Sequence, residues 1–186
     1  MRKEILGSVA YDYIALFVGR LGPEKNLLVL LDAMARLELD VLLLMVGEGD
    51  LREELERYAR TKNIQKQIVF WGTVSDANRF YQIADVFVLP SLSEGLPNVL
   101  LEAMSSGLPS IGSDILSIRS IIDHEDNGYL FQNDKAQNLA RAMTEILTNR
   151  QLAHDLSQNA RKSVEDRFSL DRVVDTYLGL YESLVS

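Results

Sequence analysis

The sequence predicts an α/β fold: a parallel six-stranded sheet with helices on both faces and extra helices at the C-terminal end. Two observations support it. From residue 14 to about residue 150, short apolar runs alternate with helix-length amphipathic stretches, the order expected when crossover helices cover both faces of a parallel sheet. The chain of 186 residues is 47% hydrophobic and 25% charged, which suffices for a full core in one domain spanning residues 1–186. No internal repeat, low-complexity tract or Pro/Gly-rich linker divides it.

Taken in order, strands are expected at Ile14–Gly19, Val41–Gly47, Ile68–Trp71, Val86–Pro90, Ser110–Gly112 and Tyr129–Phe131. After the second strand, Leu51, Leu55, Tyr58 and Ala59 recur at helical spacing, with Asp50 and Glu53 placed as an N-cap and its box partner. Leu139, Ala142, Met143 and Ile146 mark a later helix, and Leu152, Leu156 and Val164 another. Val173, Val174, Tyr177, Leu178 and Tyr181 define the last one, so the C-terminal third reads as helical.

A formal net charge of −8, from 27 acidic against 19 basic residues, argues against a nucleic-acid surface, whose affinity comes from clustered cations. Any bound anion must be held locally. The absence of cysteine removes disulfides, zinc-thiolate sites and thiol catalysis, and it fits a reducing compartment. The N-terminus from Met1 to Leu6 has no apolar run of the signal-peptide kind, and no stretch approaches the roughly 20 apolar residues of a membrane span. The chain therefore reads as cytoplasmic.

In an open parallel sheet the loops leaving the carboxyl ends of the strands line the ligand crevice, and three of them carry chemistry here. After the first strand, Gly19-Arg20-Leu21-Gly22-Pro23-Glu24-Lys25-Asn26 places two cations at the mouth of a helix. Arg20 can grip phosphate oxygens with its planar fork, Lys25 can add a point charge, and the free amides of a helix start favour an anion. The plain alternative is two solvated surface charges, Lys25 pairing with Glu24 or Glu48. After the second strand, Gly47-Glu48-Gly49-Asp50 turns tightly into a helix; Arg52 stands where a dinucleotide fingerprint needs its third glycine. A structural turn that lets a ligand approach the backbone is the reading for Gly47 and Gly49.

The fourth strand runs into Pro90-Ser91-Leu92-Ser93-Glu94-Gly95-Leu96-Pro97-Asn98-Val99, with Glu102 on the helix that follows. Pro97 suits the first helical turn, so the four positions from Gly95 to Asn98 are expected to offer unpaired amides and the positive end of the helix dipole. Glu94 and Glu102 flank this cradle, and carboxylates accept hydrogen bonds from the hydroxyls of a sugar and a ribose. Glu102 lies among Val99, Leu100, Leu101, Ala103 and Met104, where an unpaired charge is costly, which favours a specific role. With no histidine placed to complete a triad, Ser91 and Ser93 read as loop and capping hydroxyls.

Val18-Gly19-Arg20-Leu21 with Glu24-Lys25-Asn26, Gly47-Glu48-Gly49, Val69-Phe70-Trp71-Gly72, Ala84-Asp85-Val86-Phe87-Val88-Leu89-Pro90-Ser91, and Glu94-Gly95-Leu96-Pro97 through Glu102-Ala103-Met104 follow one another in order. Together they resemble the large C-terminal domain of the retaining GT-B glycosyltransferases of group 1, from about residue 14 to the end. The resemblance implies a Rossmann-like three-layer domain that binds a nucleotide diphosphate sugar and passes its glycosyl group to an acceptor hydroxyl with retained configuration. It gives Arg20 and Lys25 the diphosphate, Glu94 and the amides from Gly95 to Val99 the sugar and distal phosphate, and Glu102 the ribose. Gly72 to Val74 would border the base. Arg20, Lys25 and Glu94 would be the catalytic residues, with no metal and no cofactor required, and no enzyme nucleophile is assigned. The rival function is a noncatalytic nucleotide-sugar-binding or assembly module of the same fold.

Three departures from the family bear on partners. The family carries an N-terminal acceptor domain, whereas only about 13 residues precede the first strand here, so an acceptor-binding domain or chain is expected as a partner. Asp114-Ile115-Leu116-Ser117-Ile118-Arg119-Ser120 replaces the family's Gly-Gly loop and glutamate, and this loop is expected to lose contact with the donor. The family's last helix crosses onto the other domain, so Val173 to Leu184 is expected to leave apolar residues uncovered and to promote self-association. His124, in Asp123-His124-Glu125-Asp126 beside the turn Asn127-Gly128, reads as a polar loop, and His154 as surface. Trp71, Tyr81 and Phe87 read as core or core edge.

Overall fold

The computed structural model describes residues 11–185. Met1 to Leu6, the segment read above for a signal peptide, lies outside them. All six expected strands form, each within one residue of its expected bounds: β1 (Tyr13–Val18), β2 (Val41–Val46), β3 (Ile68–Gly72), β4 (Val86–Leu89), β5 (Ser110–Ser113) and β6 (Tyr129–Phe131). Every neighbouring pair is parallel, in the order β3-β2-β1-β4-β5-β6. All of β2 and β4 and most of β1 are buried, as uninterrupted apolar runs require when helices cover both faces. The order reverses between β1 and β4, so the loops leaving those two strands part to opposite sides and open a crevice at their carboxyl ends.

The helices are α1 (Leu27–Met34), α2 (Arg52–Thr61), α3 (Asn78–Tyr81), α4 (Asn98–Ser105), α5 (Leu116–Arg119), α6 (Ala136–Thr148), α7 (Arg150–Phe168) and α8 (Leu170–Val185). On one side α1 packs against α2 and α6, and on the other α4 packs against α3 and α7. Phe17, Leu43, Leu44 and Phe87 lie fully buried in the sheet between these layers.

The capping box expected at Asp50 and Glu53 does not form. Leu51 stands at the N-cap of α2 with no side-chain cap, and the Asp50 carboxylate is taken by Arg20 instead. A side-chain cap forms at Asn149, whose Oδ1 accepts from the Leu152 amide at 3.1 Å. Helix α8 leaves Val174, Tyr177, Leu178, Leu180, Tyr181 and Leu184 exposed, as the family resemblance implied.

Candidate functional site

The loops after β1 and β2 are built into each other. The Gly19 amide donates to the Val46 carbonyl at 2.9 Å, Leu21 to Glu48 at 3.0 Å and Leu51 back to Leu21 at 3.1 Å. This contact is why residues 47 and 49 are glycine. A Cβ on Gly47 would stand 2.0 Å from the Gly19 oxygen, at a φ of 138°, and one on Gly49 would stand 2.4 Å from the Leu21 oxygen. At Gly49 the space a side chain would take holds the chain's own backbone, which by itself accounts for glycine there. Gly19 and Gly47 do face a hollow of about 290 Å³, with Arg20, Glu48, Thr73 and Val74.

The two cations have different surroundings. Arg20 is exposed at the mouth of the crevice, its Nη2 donating to Asp50 Oδ2 at 2.7 Å. Lys25 is not a solvated charge, and it pairs with neither Glu24 nor Glu48. It closes a 3₁₀ turn, Pro23–Lys25, and its Nζ lies 2.6 Å from Glu94 Oε1, with the two side chains only 14% and 11% exposed. The same Oε1 accepts from the Ser91 hydroxyl at 2.6 Å, and the Ser91 carbonyl accepts from the Ser113 hydroxyl. The Leu92 amide adds a bond to the Glu24 carbonyl at 2.8 Å. Ser91 is thus a fully buried structural hydroxyl, and the loops after β1 and β4 are tied together at their charged residues.

Pro97 is the N-cap of α4, one residue before the expected first turn. Two of the four positions expected to offer amides do not. Proline carries no N–H, and the Asn98 amide is spent on the Leu96 carbonyl at 2.9 Å. Among the described residues, the amides of Gly95, Leu96 and Val99 lack a protein acceptor, so the cradle persists with different members. Gly95 and Leu96 are exposed, Val99 half-buried.

Glu102 lies on the exposed face of α4, because Leu100, Ala103 and Met104 form its buried face. Its apolar neighbours in sequence therefore do not bury it as expected, since the helical turn separates residues that adjoin in sequence. Its carboxylate still has a partner: Tyr81, at the end of α3, donates from its hydroxyl to Glu102 Oε2 at 2.8 Å. Burial, and then the Glu102 charge, push the Tyr81 phenol above its ordinary range, so it remains a donor. Sequence reading placed Tyr81 at the core, where its ring is only 4% exposed, but missed the role of its hydroxyl. No local pattern signals a contact across 21 positions between two helices.

A groove of about 520 Å³ runs past Val74, Asp76, Asn78, Tyr81, Glu102 and Ser105. It shares Val74 and Ala77 with the hollow at Gly19 and Gly47, so the hollow lined by Arg20 and the groove lined by Glu102 adjoin. Beyond Glu94 lies a third hollow of about 350 Å³, lined by Leu92, Ser93, Ile115, Leu116 and Ser117. The loop after β5, expected to withdraw from the site, is thus beside Glu94. His124 is exposed and its Nδ1 accepts from the Leu130 amide at 3.1 Å, as a polar loop residue. His154 is exposed, Phe87 is buried, and Trp71 packs edge-on to Phe80 at the core margin. Among the described residues no three His, Cys, Asp or Glu side chains gather as for a metal, and no helix is long and apolar enough to cross a membrane.

Residues 2–163 match the family model described as glycosyl transferases group 1. The chain is 31% identical, over 100% of its length, to a UDP-Gal:alpha-D-GlcNAc-diphosphoundecaprenol alpha-1,3-galactosyltransferase of Escherichia coli, of which it covers 49%. It superposes on 51% of Anabaena HepE, crystallised with UDP, with a TM-score of 0.88 at 24% identity over 98% of this chain. The C-terminal domain of the group 1 family protein LpcC from Francisella tularensis matches with a TM-score of 0.79 at 24% identity, over 91% of this chain and 94% of that one. These two likenesses are of fold. The chain spans about half the length of the curated relatives it matches.

Proposed function

The chain belongs to the group 1 glycosyl transferases, and from that premise we propose that it is the donor-binding half of an enzyme that transfers a hexosyl group from a nucleotide diphosphate sugar to an acceptor hydroxyl with retained configuration. The observation that carries the reading is the pair of adjoining hollows at the carboxyl ends of the strands, one lined by Arg20 and the other by Glu102, with Val74 and Ala77 common to both; Glu94, the partner of Lys25, lines a further hollow. The base lies against Gly19, Gly47 and Val74, and the ribose hydroxyls donate to Glu102. Arg20, Lys25 and the amides of Gly95, Leu96 and Val99 hold the diphosphate. Pro97 and Asn98 shape the turn that presents those amides, and Gly49 packs the loop that carries Arg20.

As the glycosidic bond breaks, negative charge grows on the leaving diphosphate. Donors already in place stabilise that charge without reorganising at the moment of reaction. The Lys25–Glu94 bond supplies such preorganisation: it holds the cation in the crevice and leaves the second oxygen of Glu94 available to the hydroxyls of the sugar. The residues provide this positive charge themselves, and no metal or cofactor enters the proposal. The name of the Escherichia coli relative, a UDP-Gal transferase, favours a uridine donor, and its lipid-linked acceptor favours work at the cytoplasmic face of a membrane in glycolipid or polysaccharide synthesis. An acceptor-binding domain or chain completes the site, since the matched relatives are about twice as long. The bare face of α8 is the surface for self-association.

Calorimetric titration with UDP, GDP, ADP and their common sugar conjugates tests the proposal. Saturable binding of one nucleotide, weakened by Arg20→Ala and by Glu102→Ala, is the expected result. Binding of none of them, by a folded chain, would sink it and leave an assembly module of the same fold. Donor binding without transfer, even with an acceptor domain supplied, would indicate a noncatalytic binding module.

A further inference from the structure

We infer that Tyr81 is a positioning residue for nucleoside recognition: its buried hydroxyl holds Glu102 through one carboxylate oxygen, so that the other faces the ribose. The inference rests on the donor-site reading above and deepens it by naming what fixes the ribose contact. Glu102 is exposed on α4, and a free glutamate there samples many rotamers, which a ligand needing only one must first order. Tyr81 has no such freedom. Its ring is 4% exposed and meets Phe87 edge-on with centroids 6.0 Å apart, so the phenol oxygen is presented from a fixed point.

The bond between them has one polarity. A phenol holds one proton and an ionised carboxylate holds none, so the hydroxyl donates to Oε2 and Oε1 stays free for a ligand. Phenylalanine would fill the same space in the core. The contact that only tyrosine adds is the 2.8 Å bond to a residue lining the groove, together with Val74, Asn78 and Ser105. The rest of the groove wall near Glu102 does not duplicate it: Ser105 and Ser106 turn their hydroxyls onto the Glu102 backbone carbonyl, at 2.9 Å each.

The test compares ribose with 2′-deoxyribose, a difference that a merely structural role does not touch. Affinities of UDP, GDP and ADP and of their 2′-deoxy counterparts are measured for the wild-type chain, Tyr81→Phe, Glu102→Ala and the double variant. Tyr81→Phe is expected to weaken the ribonucleotide about tenfold, the scale of one hydrogen bond to a charged group. The 2′-deoxy form should hold its affinity, so the ratio between the two falls towards one. Adding Glu102→Ala to Tyr81→Phe should then lower that ratio little further. Equal loss for both sugars in Tyr81→Phe, or a ratio unchanged from wild type, overturns the inference and leaves Tyr81 as packing. Wild-type binding without preference for ribose also overturns it while sparing the donor site, whereas no wild-type binding at all removes the donor site and the inference together.

Discussion

Replacing Lys25 with methionine removes the cation from a pair whose side chains are only 14% and 11% exposed, while keeping most of the volume. At 2.6 Å and an effective dielectric constant of about 20, the gross attraction is about 6 kcal/mol. Desolvating both ions offsets most of it, so the net coupling is expected at about 1–3 kcal/mol. The single variant leaves Glu94 with the Ser91 hydroxyl alone, and is expected to lose about 2–3 kcal/mol. Urea unfolding of the wild type, Lys25→Met, Glu94→Gln and the double variant measures the coupling directly, provided the slope of the transition is unchanged. The double variant should be more stable than the sum of the single losses predicts, by that coupling. Additivity to within about 0.3 kcal/mol would refute the idea that this pair ties the loops after β1 and β4 together.

Four further outcomes follow from the same geometry. No heavy atom of another residue lies within 4 Å of a Cβ built on Gly95, so Gly95→Ala should unfold within about 0.5 kcal/mol of wild type yet bind nucleoside diphosphate at least about tenfold more weakly. Gly47→Ala, with its Cβ 2.0 Å from backbone and φ at 138°, should lose about 2 kcal/mol or more; a wild-type melting temperature would contradict this. Arg119, hydrogen-bonded to Asp114 at 2.7 Å, holds that carboxyl below the usual carboxylate range, so the pair's stabilisation is present above the unfolded value of about 3.9 and is lost as pH falls through the folded one. The stability gap between wild type and Arg119→Ala should therefore close on acidification, and a gap constant from neutral to acid pH argues against it. Sedimentation should show concentration-dependent association that Leu178→Glu with Tyr181→Glu abolishes, whereas a monomer at all concentrations means that α8 does not pair chains.

Legibility in the sequence varied with how local the cause was. The central strands β1, β2 and β4 could be bounded to within one residue because a strand buried on both faces needs an unbroken apolar run, which β2 displays as Val41-Leu42-Leu43-Leu44-Met45-Val46. The uncovered apolar residues of α8 were foreseen from the family resemblance, in which the last helix crosses onto another domain. The single-turn helices α3 and α5 were not foreseen, because four residues are too few to show a period. The loops leaving the carboxyl ends of the strands were foreseeable as the crevice lining from the alternation of strands and helices, whereas the strand order that puts the switch between β1 and β4 was given by the fold.

Which side chain answers which was decided only in the folded chain. Lys25 and Glu94 are 69 positions apart, and their pairing depends on the loops after β1 and β4 emerging on opposite sides of the same reversal. Asp50 reads as a helix cap until Arg20, 30 positions earlier, is brought to it. Glu102 reads as a buried charge until the helical turn rotates it away from Leu100 and Ala103, and Tyr81 as plain core until α3 delivers its hydroxyl to that carboxylate. The sequence by itself determined the strands, the order of the loops and the residue types gathered at the crevice, because hydrophobic periodicity is a local property of the chain. Only the tertiary structure decided the partners of its charged and hydroxyl groups, because hydrogen bonds and ion pairs depend on distances of a few ångströms, which are set when remote segments pack together.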